Sequence, residues 1–282
     1  MNRIFVRYPG FKRKALTLSY DDGVMQDRRF IEIIDKAGLK CTFNLNGHNL
    51  VEKSPCGNIN FSRSAIGREE APELYKNHEV AVHGFLHPWL DRMPAGNAAW
   101  EIVKDREILE EVFGKIIRGM AYPMGGTQSD GLVGTLRSCG IQYARTTHAS
   151  FGFEIPEDWL RLSPTLYHLD ERREELTEKF LDMEVADYMQ VKLFYMWGHT
   201  YEFDETADWN VITEFAKEAG GREDIWYATN GEIVTYLEAS KQMTASMDGR
   251  ILYNPTVTPI WLEAYHTGEK KVLEPGETII VD

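Results

Sequence analysis

The chain is predicted to fold as an α/β protein, a parallel sheet or barrel of about seven strands joined by crossover helices, with a small β appendage at its C-terminal end. Three observations predict this. Short β-branched or aromatic runs alternate with stretches of helical period. The helical stretches stop at glycines, as helices do when a left-handed residue follows the C-cap. Beyond Lys241 the periodicity gives way to short runs broken by proline and glycine.

The first strand spans Ala15 to Tyr20, and the helix Asp27 to Ala37 that follows buries Phe30, Ile31, Ile33 and Ile34 before Gly38 ends it. Strands at Cys41 to Leu45 and Glu79 to His83 come next. A long helix, Asn97 to Phe113, has Asn97 as its N-cap, Val103, Ile108, Leu109 and Val112 as its inner face, and Gly114 as its stop. Strands follow at Ile116 to Tyr122, Ile141 to Thr146 and Val191 to Trp197. The helix Asp208 to Ala219 closes on Gly220-Gly221, the strand Ile225 to Ala228 follows, and Asn230 caps a last helix that reaches about Lys241. From Ile251 to Asp282 short strands are interrupted by Pro255, Pro259, Gly268 and Pro275-Gly276. This divides the chain into a barrel, residues 1–244, and an appendage, residues 245–282, too short to bury a core alone and therefore packed on the barrel.

With 282 residues, 43% of them hydrophobic, the chain can bury a substantial core, which excludes disorder. A net charge of −13 repels phosphate backbones and anionic lipid headgroups, so neither nucleic acid nor a membrane surface is an expected partner. No apolar run approaches the roughly 20 residues that span a bilayer. The first residues lack the apolar core of a secretory signal, so a cytoplasmic location is expected. Cys41, Cys56 and Cys139 show no CxxC spacing and suggest neither a disulfide framework nor a thiolate zinc site. The sequence sets no oligomeric state.

The residues most capable of chemistry sit just after candidate strands. Asp21 and Asp22 follow the first, His83 closes another with His87 one turn beyond, and Arg145, His199 and Asn230 lie at the ends of three more. In a β/α barrel these carboxyl ends converge on one face, where active sites are built. Adjacent aspartates after a strand point in different directions, so one can ligate a metal while the other accepts a proton; Asp-Gly is equally an ordinary turn dipeptide. His83 and His87 are close enough to face one metal ion, and Pro88 disfavours helix at His87, which points to a turn. With an aspartate from a neighbouring strand end they offer two nitrogens and one oxygen, leaving positions open for water and substrate. An unperturbed imidazole titrates near neutrality, so His199 is a candidate general acid, although a packed or surface histidine reads the same in isolation.

These residues resemble the polysaccharide deacetylases, carbohydrate esterase family four, also called the NodB-homology domain. Ser19-Tyr20-Asp21-Asp22-Gly23 is similar to its first motif and His83-Gly84-Phe85-Leu86-His87 to its second. Ala121-Tyr122-Pro123-Met124-Gly125 is similar to its third and Trp197-Gly198-His199 to its fifth. The resemblance covers about residues 14 to 240. It implies a distorted barrel holding a divalent metal, zinc or cobalt, by Asp22, His83 and His87. It also implies Asp21 as the general base, His199 as the general acid, and the backbone N–H of Met124 as an oxyanion donor.

Three positions depart from the family pattern. Ala121 stands where the family often has an arginine that holds the base, and Arg145 is the candidate replacement. Met124 replaces an aromatic residue and so alters the groove wall beside Tyr122 and Pro123. Trp197 replaces a leucine that lines the acetyl pocket. The fourth motif is matched loosely by Asp158-Trp159, with Asp158 a candidate partner for His199 or an ordinary loop aspartate. Trp159 and Trp89 are candidate sugar platforms, with core packing as the other reading. The leading expectation is a metal-dependent hydrolase that removes N- or O-linked acetyl from a carbohydrate, a soluble oligosaccharide or sugar conjugate. Hydrolysis of a cyclic amide on the same scaffold, and carbohydrate binding without catalysis, are the alternatives.

Overall fold

The computed structural model describes residues 4–51, 64–265 and 267–281, so Cys56 lies outside the described residues. The strands in chain order are β1 Ile4–Arg7, β2 Lys14–Asp21, β3 Cys41–Leu45, β4 Glu79–Val82, β5 Gly119–Ala121, β6 Tyr143–Arg145, β7 Leu166–Tyr167, β8 Lys192–His199 and β9 Ile225–Tyr227. Then come β10 Thr244–Ala245, β11 Ile251–Tyr253, β12 Ile260–Ala264, β13 Lys270–Leu273 and β14 Thr278–Ile280. The helices are α1 Asp27–Lys36, α2 Ala71–Leu74, α3 Ala95–Phe113, α4 Asp130–Ser138, α5 Arg173–Asp182, α6 Glu202–Glu205, α7 Asn210–Ala219 and α8 Asn230–Lys241.

One parallel sheet runs in the order β6-β5-β4-β3-β2-β8-β7. β8 pairs along the whole of β2, from Lys14↔Lys192 to Asp21↔His199. The other edge of β2 is shared: β3 takes Leu18 to Asp21 and β9 takes Lys14 to Leu16. The sheet curls into a half-barrel that does not close. Beside β6 an isolated parallel bridge joins Arg145 to Leu162, so an irregular segment stands where a closing strand would be.

Two apolar layers hold the sheet. On the convex side Leu16, Leu18, Phe43, Val82 and Met196 pack against Phe30 and Ile34 of α1, Leu109 of α3, and Ile212 and Phe215 of α7. A second cluster joins Ala15, Tyr143, Leu193 and Tyr195 to Ile233, Val234 and Leu237 of α8. The first turn of α8 reaches the sheet, with Asn230 Oδ1 accepting from Thr17 Oγ1 and Asn230 N–H donating to Thr42 Oγ1.

The appendage is two antiparallel three-stranded sheets, β1-β12-β13 and β10-β11-β14. β1 comes from the opposite end of the chain, pairing Ile4 with Ala264 and Arg7 with Trp261. The buried Arg7 guanidinium donates from Nε to Glu263 Oε2 at 2.6 Å, and Arg13 Nη2 reaches both oxygens of the same carboxylate at 2.9 Å.

Several sequence expectations are corrected. α3 begins at Ala95 behind Pro94, so Asn97 lies inside it rather than capping it, and Val103 is half exposed. The strand expected from Ile116 shortens to Gly119–Ala121, with Ile116 in solvent. The cap of α8 is Thr229, which forms a reciprocal capping box with Glu232, while Asn230 is the first helical residue. Among the described residues no helix is long and apolar enough to cross a membrane.

Candidate active site

Strand alternation explains why Asp21 points into the half-barrel: Thr17, Ser19 and Asp21 share one face of β2, and Leu16, Leu18 and Tyr20 share the other. By the same rule Asp22 should point away. It does not, because its φ of 82° is left-handed and turns the side chain back, while its N–H remains bonded to Asn44 O at 2.9 Å.

Asp22 Oδ1 lies 3.8 Å from His83 Nε2 and 3.6 Å from His87 Nε2. The two imidazole nitrogens are 3.2 Å apart. His83 Nδ1 donates to Ala121 O at 3.0 Å, which fixes the tautomer and leaves Nε2 with its lone pair facing the cluster. Two ring nitrogens and a carboxylate oxygen, all within 4.8 Å of one another, are a donor set that fits a divalent cation. Burial, and then the neighbouring His83, depress the pKa of His87 to about 4, which keeps it neutral as a ligand must be.

Three of the residues here have left-handed backbones that β-carbons disfavour: Asp22 at 82°, His87 at 54° and Met124 at 59°. Gly84, at 75°, is required for a further reason. A β-carbon on it would meet Pro88 at 3.0 Å and Pro123 at 3.3 Å, so the loop carrying Met124 abuts the His83 to His87 turn directly. Two acids on α3 hold that turn from outside. Asp105 accepts from the N–H groups of Gly47 at 2.5 Å and His83 at 2.9 Å, and Glu101 accepts from Leu86 N–H at 2.8 Å. Burial lifts the Asp105 carboxyl to about 8, against the pull of its backbone donors.

Asp21 lies between this cluster and Arg145. Arg145 Nη2 donates to Asp21 Oδ2 at 2.5 Å, and Asn44 Nδ2 donates to Oδ1 at 2.8 Å. Burial alone would raise the Asp21 pKa, but Arg145, His83 and His199 outweigh it and hold the carboxyl below its ordinary range. The Arg145 guanidinium is fully buried and stacks 4.2 Å over the ring of Trp197.

His199 Nε2 is 3.8 Å from Asp21 Oδ2, and its Nδ1 donates to Glu202 Oε2 at 3.0 Å. Burial lowers the affinity of His199 for a proton, yet Glu202, Asp21 and Asp22 together raise its pKa above the ordinary imidazole value.

Glu202 occupies the place that the sequence offered to Asp158. Asp158 instead accepts from Leu160 N–H at 3.0 Å and pairs with Arg161 at 2.6 Å. Trp159 is also corrected as a sugar platform: its ring is buried among Leu162, Val234 and Leu237, and its Nε1 donates to Glu238. Trp89 is half-buried, with one face covered by Arg92 at 3.7 Å. Tyr122 is buried and donates to Leu160 O at 2.8 Å, supporting the loop, whereas the Met124 side chain is 47% exposed. The residues missed in the sequence are Glu202, His168, Asn44, Asp105 and Glu101. Only the α3 pair left a signal there, two acids one turn apart on the buried face with Ile102, Ile108 and Leu109.

A parallel half-barrel with an Asp-His-His cluster at its carboxyl end defines a metal-binding hydrolase scaffold. The family model described as polysaccharide deacetylase matches residues 9–144, a span holding Asp21, Asp22, His83, His87 and Met124, and over that span the chain is similar to this family. No curated protein sequence matches the chain. Among solved structures, a candidate polysaccharide deacetylase from Mycobacterium smegmatis shares 17% identity over 86% of this chain and 96% of its own, with a TM-score of 0.56, a likeness of fold. A family 4 carbohydrate esterase from Streptomyces lividans, in complex with acetate, shares 13% identity over 77% and 93%, with a TM-score of 0.49. The Streptococcus pyogenes deacetylase PplD, in complex with acetate, shares 17% over 46% of this chain, with a TM-score of 0.41, and the match spans 55% of that enzyme.

Proposed function

We propose that the protein is a metal-dependent deacetylase that hydrolyses N- or O-linked acetyl groups on a soluble acetylated oligosaccharide. The observation that carries this reading is the junction of three groups at the carboxyl ends of neighbouring strands. The ligand set Asp22, His83 and His87 adjoins the arginine-held Asp21 and the carboxylate-held His199. Two imidazoles and one carboxylate suit zinc, with cobalt as the second choice for the same donors. A divalent cation bound there polarises a substrate carbonyl and lowers the pKa of water toward about 7.

The side chains supply the rest. Arg145 and Asn44 keep Asp21 anionic and oriented, so that it takes the proton of the attacking water. His199, whose hold on its proton Glu202 strengthens, gives a proton to the departing amine or alcohol. The backbone N–H of Met124, presented by a left-handed residue next to the histidine turn, is the donor proposed for the developing oxyanion. Trp197, beside both Arg145 and His199, walls the acyl side of the site.

Acetate release from acetylated xylo-, chito- and peptidoglycan-derived oligosaccharides, with stoichiometric zinc or cobalt, tests the proposal. Wild type should release acetate, and Asp21→Asn should lose on the order of 100-fold or more in kcat. Metal-loaded wild type that releases none from any member overturns it.

A further inference from the structure

We propose that His168 is a positioning residue for proton transfer by His199, acting through Glu202; this rests on the deacetylase reading above. His168 is wholly buried, and both of its ring nitrogens are committed. Nε2 lies 2.9 Å from Glu202 Oε2, the same oxygen that receives His199 Nδ1–H and His199 backbone N–H, each at 3.0 Å. Because that oxygen only accepts, Nε2 carries the ring proton. Nδ1 then has a lone pair and accepts from Tyr20 O–H at 3.0 Å. The other oxygen of Glu202 accepts from Tyr167 O–H.

Four donors from three residues thus converge on one carboxylate. Burial opposes ionisation of Glu202, but the hydrogen bonds from His168 and His199 hold its pKa well below the ordinary range. A carboxylate so saturated keeps its charge, does not accept the proton of His199, and cannot rotate away from it. The proton on His199 therefore stays with the imidazole until a leaving group takes it.

The packing fixes the same arrangement. The His168 ring lies against the backbone of β8 at Gly198, where a β-carbon would meet its Nδ1 at 2.4 Å. The His168 N–H donates to Trp197 O at 2.8 Å. Its other neighbours are the rings of Tyr20, Tyr167 and Phe203, surroundings that a phenylalanine would fill equally well. What imidazole adds is the pair of hydrogen bonds linking Tyr20 to Glu202.

The test compares leaving groups. An amine or sugar alkoxide needs a proton to depart, whereas 4-nitrophenolate does not, so loss of acid positioning should appear only with the first class. His168→Phe keeps the ring and removes both hydrogen bonds; His168→Gln serves if the first variant does not fold. With metal-loaded protein, kcat for the acetylated oligosaccharide should fall on the order of 10-fold or more at nearly unchanged KM. Hydrolysis of 4-nitrophenyl acetate should stay near the wild-type rate. Equal losses on both substrates, or no loss on either, overturn the proposal.

A second readout needs no turnover. In histidine-labelled protein the His199 Nδ1–H, held by Glu202, should give a protected downfield proton resonance that His168→Phe abolishes, and an unchanged resonance overturns the proposal. Wild type that cleaves the aryl ester but no carbohydrate sinks the substrate reading alone, and the resonance then decides the role of His168.

Discussion

The two faces of the parallel sheet follow the same backbone period and carry opposite chemistry. On the convex face Leu16, Leu18, Cys41, Phe43, Val80, Val82, Phe194 and Met196 meet the helices in one apolar layer. On the concave face the alternate positions are Thr17, Ser19, Asp21, Thr42, Asn44 and Glu79, joined by side-chain hydrogen bonds. Asn44 Nδ2 links Asp21 to Ser19, and Thr42 Oγ1 donates to Glu79 Oε2 at 2.7 Å. Glu79 also accepts from the first turn of α8, at Gly231 N–H. One face is apolar throughout, whereas the other combines the Ala15, Leu193 and Tyr195 contacts with α8 and a row of positioned polar groups toward the strand ends, so the site's chemistry is confined to one residue parity along a single strand.

The largest expected effect tests that separation at the ligands. His83→Ala should weaken zinc binding by more than the roughly 10–100-fold that outer-shell changes cost. Competition with a chromogenic chelator measures it, and the metal-free protein should unfold near the wild-type urea midpoint.

The matching change on the other face is Phe43→Ala, which empties a fully buried ring site between α1 and Tyr75. It should cost about 3–5 kcal/mol in urea unfolding, with zinc affinity of the folded protein unchanged. A fall in that affinity would show that the faces are coupled.

Asp105 sharpens the comparison, since it belongs to a convex-side helix yet bonds the backbone of His83. Asp105→Asn should reduce zinc affinity on the order of 10-fold, checked by the same competition, even though the residue ligates nothing.

The smallest effect concerns Asp27, which accepts from Tyr75 Oη at 2.6 Å and Thr200 Oγ1 at 2.5 Å behind the site. Burial raises its pKa to about 7 against those two hydrogen bonds. The native state therefore retains a proton that the unfolded chain, with a carboxyl near about 3.9, has released. Its contribution to stability is full below about pH 4 and declines as pH rises toward about 7. The difference in urea midpoint between wild type and Asp27→Asn should slope in that sense, and a flat difference would place the Asp27 pKa in its ordinary range.

The α/β class, the parallel strands and the pairing of His83 and His87 with an aspartate were legible in the sequence because each rests on local rules, while the family resemblance chose Asp22 as that aspartate. Side chains alternate along strands, helices stop at glycine, and strand ends converge on one face of a curled sheet. Even the departure of Ala121 from the family pattern, with Arg145 as the candidate in its place, was visible in one dimension. Which carboxylate meets His199 was not. Asp158 had the motif position, but its side chain folds back on its own turn, whereas Glu202 lies three residues beyond His199 and bonds it directly. Local spacing alone does not distinguish a capping aspartate from a partner.

The sequence by itself determined the strand alternation, the helix stops and the residue types gathered at the strand ends, since these depend on chemistry within a few positions. Only the tertiary structure decided that β1 joins β12, that Arg145 on β6 reaches Asp21 on β2 with three strands of the sheet between them, and that His168 and His199 share one oxygen of Glu202. Those contacts depend on strand order, register and loop path, which are set by packing between distant segments and leave no periodic trace in the chain.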